Sequence, residues 1–329
     1  MNKKVKAVVT DYIEDNLDWE AQELAKAGID FAAHQLKFKP EDEVISKIAD
    51  ADVVVVNMVK MPESLLSKLP KCKLIIRHGI GYDNVDAGAC ARLGIQFAYQ
   101  PDYCMEDVAE HAISLIFACA RKLPQSRKTL ENSSARGQWD FSTLFPVRRL
   151  DGKTLGIVGA GRIGSRVYRK LQSFGFKIII CDPYLSQKRK DALGEATFVD
   201  KETLFRASDF ITLHTPANMD TKHLVNAEAL SWMKPSAFLI NTSRASMIDT
   251  AALVTALEQR RIGGAAIDVF EVEPPPPDHP LFRLDNVILT PHLAWASEES
   301  ALEIRRHIVN DILAFAAGKP ARCLVKTGV

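Results

Sequence analysis

LGIVGAGRIGSRVYRKLQSFGFKIIICD, residues 155–182, decides the fold. A short apolar run, LGIV, turns at once through GAGRIG; an amphipathic segment follows, then a second apolar run that ends in an acid. This pattern is a strand, a glycine turn, a helix and a second strand. Gly159, Gly161 and Gly164 have the spacing G-x-G-x-x-G. The first glycine permits the tight turn, the second lets backbone approach a pyrophosphate, and the third lets the helix lie close on the strand. The helix N-terminus then offers unpaired N–H groups and the positive end of its dipole to phosphates. Asp182, 18 residues past Gly164, is placed to accept hydrogen bonds from an adenosine ribose and to repel a 2′-phosphate. That predicts NAD rather than NADP. A bare glycine pattern is often only a tight turn; the strand, helix and acid around this one make it a dinucleotide site.

Further apolar runs follow toward the C-terminus, each ending in a polar group. DFITLHTP (209–216) closes on a polar cluster, AFLINTSR (237–244) on Arg244, GGAAID (263–268) on Asp268 and VILTPH (287–292) on His292. Strands of this kind, nearly continuous in apolar residues, are those of parallel sheets covered on both faces. Their C-terminal ends form the edge where ligands bind in open α/β sheets. The proline run in EPPPPDHP (273–280) reads as a rigid loop holding Glu273 near those ends, in preference to a polyproline ligand.

Toward the N-terminus, VKAVVT (5–10), VVVVN (53–57), KLIIRH (73–78) and IQFAY (95–99) read as buried parallel strands separated by polar helical stretches such as 41–50 and 62–69. This is a second α/β unit of about 100 residues, without a fingerprint of its own. In RHGIGYDNVD (77–86), Gly79 and Gly81 flank Ile80 just past a strand end. A ligand-binding turn and a plain glycine-rich turn both fit. Residues 105–121 place Met105, Val108, Ala109, Ala112, Ile116 and Cys119 on one face, a buried helix bridging the two units; His111 within it reads as a structural histidine. Residues 122–150 lose periodicity and become basic and polar. A solvated arm or dimer contact fits them better than a nucleic-acid surface, since the charge is mixed and aromatic residues are few. A last helix, with Ile304, Ile308, Ile312 and Phe315 on one face, carries the chain back to the first unit. The predicted fold class is therefore α/β: two doubly wound parallel-sheet domains, one inserted into the other. The boundaries are 1–103 with 296–329 for the discontinuous domain and 104–295 for the inserted one.

Bulk properties exclude several other classes. The 329 residues suffice for two cores. A formal net charge of +1 gives no global field for nucleic acid or membrane, and no apolar run reaches the ~18–20 residues of a membrane span. The N-terminus enters a strand with no signal-peptide pattern. The six cysteines form no C-x-x-C pair, so reduced thiols in the cytoplasm and no structural zinc are expected.

Three ionisable residues on the cofactor edge suggest a chemistry. Hydride exchange with a hydroxy acid requires a cation for the carboxylate, an acid/base for the hydroxyl proton and a group that orients the base. Arg244 suits the first role through its planar fork, and His292 the second, since imidazole titrates near neutrality. Glu273 suits the third, because a neighbouring carboxylate fixes an imidazole's tautomer and raises its pKa. Each of the three is also compatible with a structural ion pair when taken singly.

The chain resembles the D-isomer-specific 2-hydroxyacid dehydrogenases over almost its whole length. The resemblance is carried by RHGIGYDNVD (77–86), VAEHAISLIFA (108–118), GKTLGIVGAGRIG (152–164), HTP (214–216), MKPSAFLINTSRASMID (233–249), GAAIDVFEVEPPPPDHPLF (264–282) and NVILTPHLAWAS (286–297). It implies Arg244 as substrate clamp, Glu273 rather than Glu271 as the partner of His292, and His292 as acid/base. It implies that the N–H groups of Ile80 and Gly81 hold the substrate carboxylate. Arg162, Ile163, Asp182, His214, Thr215, Pro216, Thr242 and Asp268 are then expected along NAD. The family's fold is a Rossmann NAD-binding domain inserted into a discontinuous flavodoxin-like substrate domain, dimeric through the former. The site is expected in a cleft that closes on ligand.

PHLAW, with Trp295, resembles glycerate dehydrogenases and hydroxypyruvate reductases, which makes glyoxylate or hydroxypyruvate the expected 2-oxo acid. The chain ends soon after its last helix, and no C-terminal regulatory domain is expected, unlike the larger phosphoglycerate dehydrogenases. Two rivals are a formate- or phosphite-type dehydrogenase, the former disfavoured because it pairs histidine with glutamine, and a corepressor-like, NAD-sensing binding protein. One departure stands out: Ala245 follows Arg244 where the family usually has glycine. If φ is positive there, alanine is strained.

Overall fold

A computed structural model of the chain describes residues 4–326. The chain divides into two units, one running up to Tyr103 and resuming at Ser297, the other Cys104–Ala296.

The first unit holds β1 (Lys6–Val9), β2 (Asp30–Ala33), β3 (Val53–Val56), β4 (Leu74–Arg77) and β5 (Gln96–Ala98), in the spatial order β2-β1-β3-β4-β5. All its neighbouring strands pair in parallel, in the flavodoxin-like order. Val53, Val54, Val55 and Val56 are all buried, which is why β3 shows no alternation in sequence. The C-terminal helix Glu298–Ala316 starts at a reciprocal cap, Ser297 with Ser300, and packs on the helix Asp18–Lys26 and on β4. Its buried Asp311 accepts from Gln100 Nε2 at 2.8 Å and from the Arg322 N–H at 2.7 Å. The tail beyond it meets β5, with Ala98 opposite Leu324 in an antiparallel bridge.

The second unit holds β6 (Thr154–Val158), β7 (Lys177–Cys181), β8 (Thr197–Phe198), β9 (Phe210–Leu213), β10 (Phe238–Asn241), β11 (Gly264–Ile267) and β12 (Val287–Leu289). The order β12-β11-β10-β9-β6-β7-β8 reverses at β6, the Rossmann arrangement with one additional strand. Successive side chains enter opposite layers: Leu239 joins the core with Leu213, Leu253 and Ile267, and Ile240 the core with Leu155, Ile157 and Ile116. The helix Met105–Arg121 covers the second layer, buried through Val108, Ala109, Ala112, Leu115, Ile116, Cys119 and Ala120.

Three elements were not foreseen. β2 and β8 are edge strands with exposed or half-buried residues, so neither forms an apolar run. Residues 122–150 show no periodicity in sequence, yet Leu123–Ala135 is a helix. It has no apolar stripe because Ser133 is its only buried residue. Lys122, left-handed at φ 50°, ends the preceding helix and starts this one, and Pro124 fits its first turn. Among the described residues, no helix is long and apolar enough to cross a membrane.

Candidate active site

Every strand pair in the second sheet is parallel, so Gly159, Asp182, His214, Thr242, Asp268 and His292 all follow strand ends on one edge. Gly159 is left-handed at φ 88°, and a Cβ there would stand 2.7 Å from the His214 carbonyl oxygen. A Cβ at Gly164 would overlap the Gly159 carbonyl oxygen. At Gly161 it would meet no atom within 4 Å, so the turn is open on that side. Ile163 precedes the helix Gly164–Leu171, and Arg162 beside it is exposed. The Asp182 carboxylate reaches back to this turn, accepting the Ala160 N–H at 2.8 Å and the Tyr184 N–H at 3.1 Å.

Among the described residues, two polar side-chain atoms on this edge are buried without a partner: His214 Nδ1 and Thr242 Oγ1. Burial pushes the His214 imidazole down to about 3, so the ring is neutral; its Nε2 lies 2.9 Å from Thr212 Oγ1. An unsatisfied buried polar atom costs about 1–3 kcal/mol, which a ligand at this edge can relieve. The open turn, the helix terminus and the two orphaned atoms fit a dinucleotide. Thr215 and Pro216, also expected along the cofactor, are engaged by protein groups: Thr215 Oγ1 contacts Met247 Sδ, in the turn after β10, at 3.0 Å, and the Pro216 carbonyl accepts from Thr221 Oγ1 at 2.7 Å.

Arg244 projects from a turn built by a fully buried residue that the sequence did not single out. Asn241 accepts the Ser243 N–H at 3.0 Å and donates to the Arg244 carbonyl at 2.9 Å. Ser243 Oγ ties the turn to β9 through the Leu213 carbonyl at 2.6 Å. Arg244 itself is extended (φ −144°), and Ala245 opens a 3-10 turn, Ala245–Met247, without positive φ. The strain considered for alanine at this position does not arise.

His292 Nδ1 lies 2.8 Å from Glu273 Oε2, while Glu273 Oε1 accepts the Phe270 N–H at 3.1 Å. Glu271 is engaged elsewhere, by the Thr250 hydroxyl. Burial works to raise the Glu273 carboxyl, but the bond and charge of His292, the Phe270 N–H and the charge of Arg244 together hold it below the usual value. An ionised carboxylate only accepts, so Nδ1 carries the proton and Nε2 is left for chemistry. His292 is left-handed, at φ 56°. Its N–H donates to the Asp268 carbonyl at 2.7 Å, and the next two N–H groups, Leu293 and Ala294, donate to the Asp268 carboxylate at 2.9 and 3.0 Å. Asp268 is therefore turned inward onto the His292 loop, fully buried. Burial again works upward on it, and its donors His111, Thr290, Leu293 and Ala294 outweigh this to keep it low.

In the first unit, Gly79 has φ 146°, and a Cβ there would stand 2.8 Å from Arg77 Nη1. Past it, the N–H groups of Ile80 and Gly81 donate to no acceptor among the described residues. His78, just before the turn, pairs with Glu14 across 3.2 Å. Among the described residues, no group of three His, Cys, Asp or Glu could hold a metal ion.

The family model described as D-isomer specific 2-hydroxyacid dehydrogenase, NAD binding domain, matches residues 113–294. D-3-phosphoglycerate dehydrogenase of Methanocaldococcus jannaschii is 38% identical over 90% of this chain and 54% of its own length. The chain thus spans about half the length of the phosphoglycerate dehydrogenases it matches. Glyoxylate reductase of Thermofilum pendens is 34% identical over 93% of this chain and 91% of its own. An NADPH-dependent glyoxylate/hydroxypyruvate reductase of Sinorhizobium meliloti, solved with NADP and malonate, has a TM-score of 0.85 at 29% identity, covering 99% of this chain and 100% of that one. The chain belongs to the D-isomer specific 2-hydroxyacid dehydrogenase family, and residues 113–294 match the NAD-binding domain of that family.

Proposed function

We propose that the protein is an NAD-dependent dehydrogenase interconverting a small 2-oxo acid, glyoxylate or hydroxypyruvate, and its D-2-hydroxy acid. The observation that carries this reading is the 2.8 Å pair of His292 Nδ1 with Glu273, on the sheet edge that also bears Arg244 and the glycine turn. Glu273 locks the ring so that Nε2 delivers a proton to the substrate oxygen during reduction and withdraws it during oxidation. Arg244 clamps the substrate carboxylate through its planar fork; in the first unit, the undonated N–H groups of Ile80 and Gly81 are available to an anionic group. NAD(H), when bound, supplies or accepts the hydride. Arg162, Ile163 and the glycine turn hold its phosphates, and Asp182 its ribose. His214 and Thr242, with their orphaned polar atoms, line the rest, and Asp268 acts from behind by holding the His292 loop. The relative named glyoxylate reductase, with comparable length, supports the small substrate. The six free cysteines fit a reducing, cytoplasmic compartment. The exposed arm 122–150 is the proposed homodimer surface.

The test is NADH and NADPH oxidation with glyoxylate, hydroxypyruvate, pyruvate and bulkier 2-oxo acids. His292→Ala is expected to lower turnover on the order of 10²–10⁴-fold. Undiminished turnover in that variant would overturn the acid/base assignment, and a preference for NADPH would overturn the role of Asp182.

A further inference from the structure

Among the described residues, His292 is one of five non-glycine residues with positive φ. A left-handed side-chain-bearing residue costs about 1–2 kcal/mol and persists only where its surroundings impose it. Three consecutive N–H groups, those of His292, Leu293 and Ala294, end on a single residue, Asp268. The position of the Asp268 carboxylate thus sets the path of the loop that presents the imidazole.

What orients that carboxylate is a short relay across the unit. The Thr290 hydroxyl contacts Asp268 Oδ1, and His111 Nε2 lies 3.1 Å from the same hydroxyl oxygen. A hydroxyl has one proton, and an ionised carboxylate only accepts. Thr290 therefore gives its proton to Asp268, and its oxygen accepts from His111, which fixes the proton of His111 on Nε2. That nitrogen is also 3.6 Å from Asp268 Oδ1. His111 stands on the helix Met105–Arg121, whose apolar face is packed against β10 and β11, so the relay begins on a rigid element.

We infer that His111 is a positioning residue for His292, acting through the Thr290 hydroxyl and the Asp268 carboxylate to hold the 290–294 loop. The inference rests on the reading of His292 as the acid/base. A loop displaced by about 1 Å costs on the order of 10²-fold in rate, so the relay is expected to act on turnover more than on substrate affinity.

The test compares deletion with conservative replacement. Thr290→Val keeps the shape and removes the hydroxyl; Thr290→Ser keeps the hydroxyl. His111→Leu removes the donor; His111→Gln keeps an N–H at similar reach. Thr290→Val and His111→Leu are each expected to lower kcat roughly ten- to hundredfold, with the KM for glyoxylate changed much less, since the clamp is untouched. Thr290→Ser and His111→Gln are expected to recover most of kcat. In the cofactor-free protein, amide hydrogen exchange at Leu293 and Ala294 should accelerate in the two deletion variants, with the amides of β10 unchanged. Parental kcat together with parental protection at Leu293 and Ala294, in either deletion variant that folds, would overturn the relay. Failure of the underlying reading shows differently: His292→Ala would stay active, and the exchange result would stand regardless.

Discussion

Glu14 and His78 show what one buried ion pair does to a titration. Both side chains are largely buried at 3.2 Å. Burial works to raise the Glu14 carboxyl; the hydrogen bond and charge of His78, with the N–H groups of Glu14 and Ile13, outweigh it and lower the group from 4.5 to about 2. A folded value below the unfolded one means stability that is fully present above about pH 4.5 and lost as pH falls toward 2. The full shift corresponds to about 3 kcal/mol, of which about 2 kcal/mol is lost between pH 5.5 and pH 3. Urea midpoints over that window should therefore fall more steeply for the parent than for Glu14→Gln. Parallel slopes for the two proteins would show that Glu14 is not held low by this pair. The sequence offered no sign of the contact, because Glu14 lies in the loop after β1 and His78 in the loop after β4, brought together only by the β1-β3-β4 order.

The glycine turn is an element in which three identical residues do different work. A Cβ at Gly164 overlaps the Gly159 carbonyl, so Gly164→Ala must shift either the helix Gly164–Leu171 or the end of β6. Gly161 has open space and no positive φ, so Gly161→Ala leaves the free fold intact and gains up to about 0.4–1 kcal/mol by restricting the unfolded chain. The expected outcome is an opposed pair: Gly164→Ala lowers the melting temperature, whereas Gly161→Ala preserves it and weakens NADH binding measured by fluorescence titration. Parental NADH affinity in Gly161→Ala would mean that no phosphate approaches there.

The same elements mark what sequence could and could not convey. Strands buried on both faces, such as β3 and β10, appear as unbroken apolar runs, and β2 and β8 do not, because each is an edge. Arg244, Asp268 and His292 stand out because each closes a strand. Asn241 and Thr290 sit in the same strand-end segments but act through hydrogen bonds that only coordinates reveal. His111 meets Thr290 across 179 residues of chain, and no local pattern encodes such a contact.

At the scale of the whole molecule, the surface of residues 122–150 is at odds with a solvated arm. Trp139 is 81% exposed, with Phe141 and Phe145 also exposed, and these rings meet in sequence, the first pair edge-on and the second tilted, at centroid distances of 6.5 and 6.2 Å. Leu123 and Leu130 on the adjoining helix Leu123–Ala135 are exposed as well. A chain that leaves three clustered aromatic rings and two leucines in water carries the mark of an interface, and aromatic residues are the side chains that dominate association energy. A stable dimer needs about 1,200 Å² or more of total buried surface, which a helix and an aromatic loop exchanged between two copies can supply. Sedimentation at micromolar concentration should give the parent twice the mass of the chain. The triple replacement Trp139→Ser, Phe141→Ser, Phe145→Ser should sediment as a monomer with unchanged far-UV circular dichroism, since none of the three rings belongs to either core of this unit. Parent emission from Trp139 should move to longer wavelength on dilution, as the ring returns to water. A parent that is monomeric throughout, or a triple variant that remains dimeric, would remove the arm from the interface and leave its aromatic cluster to another partner.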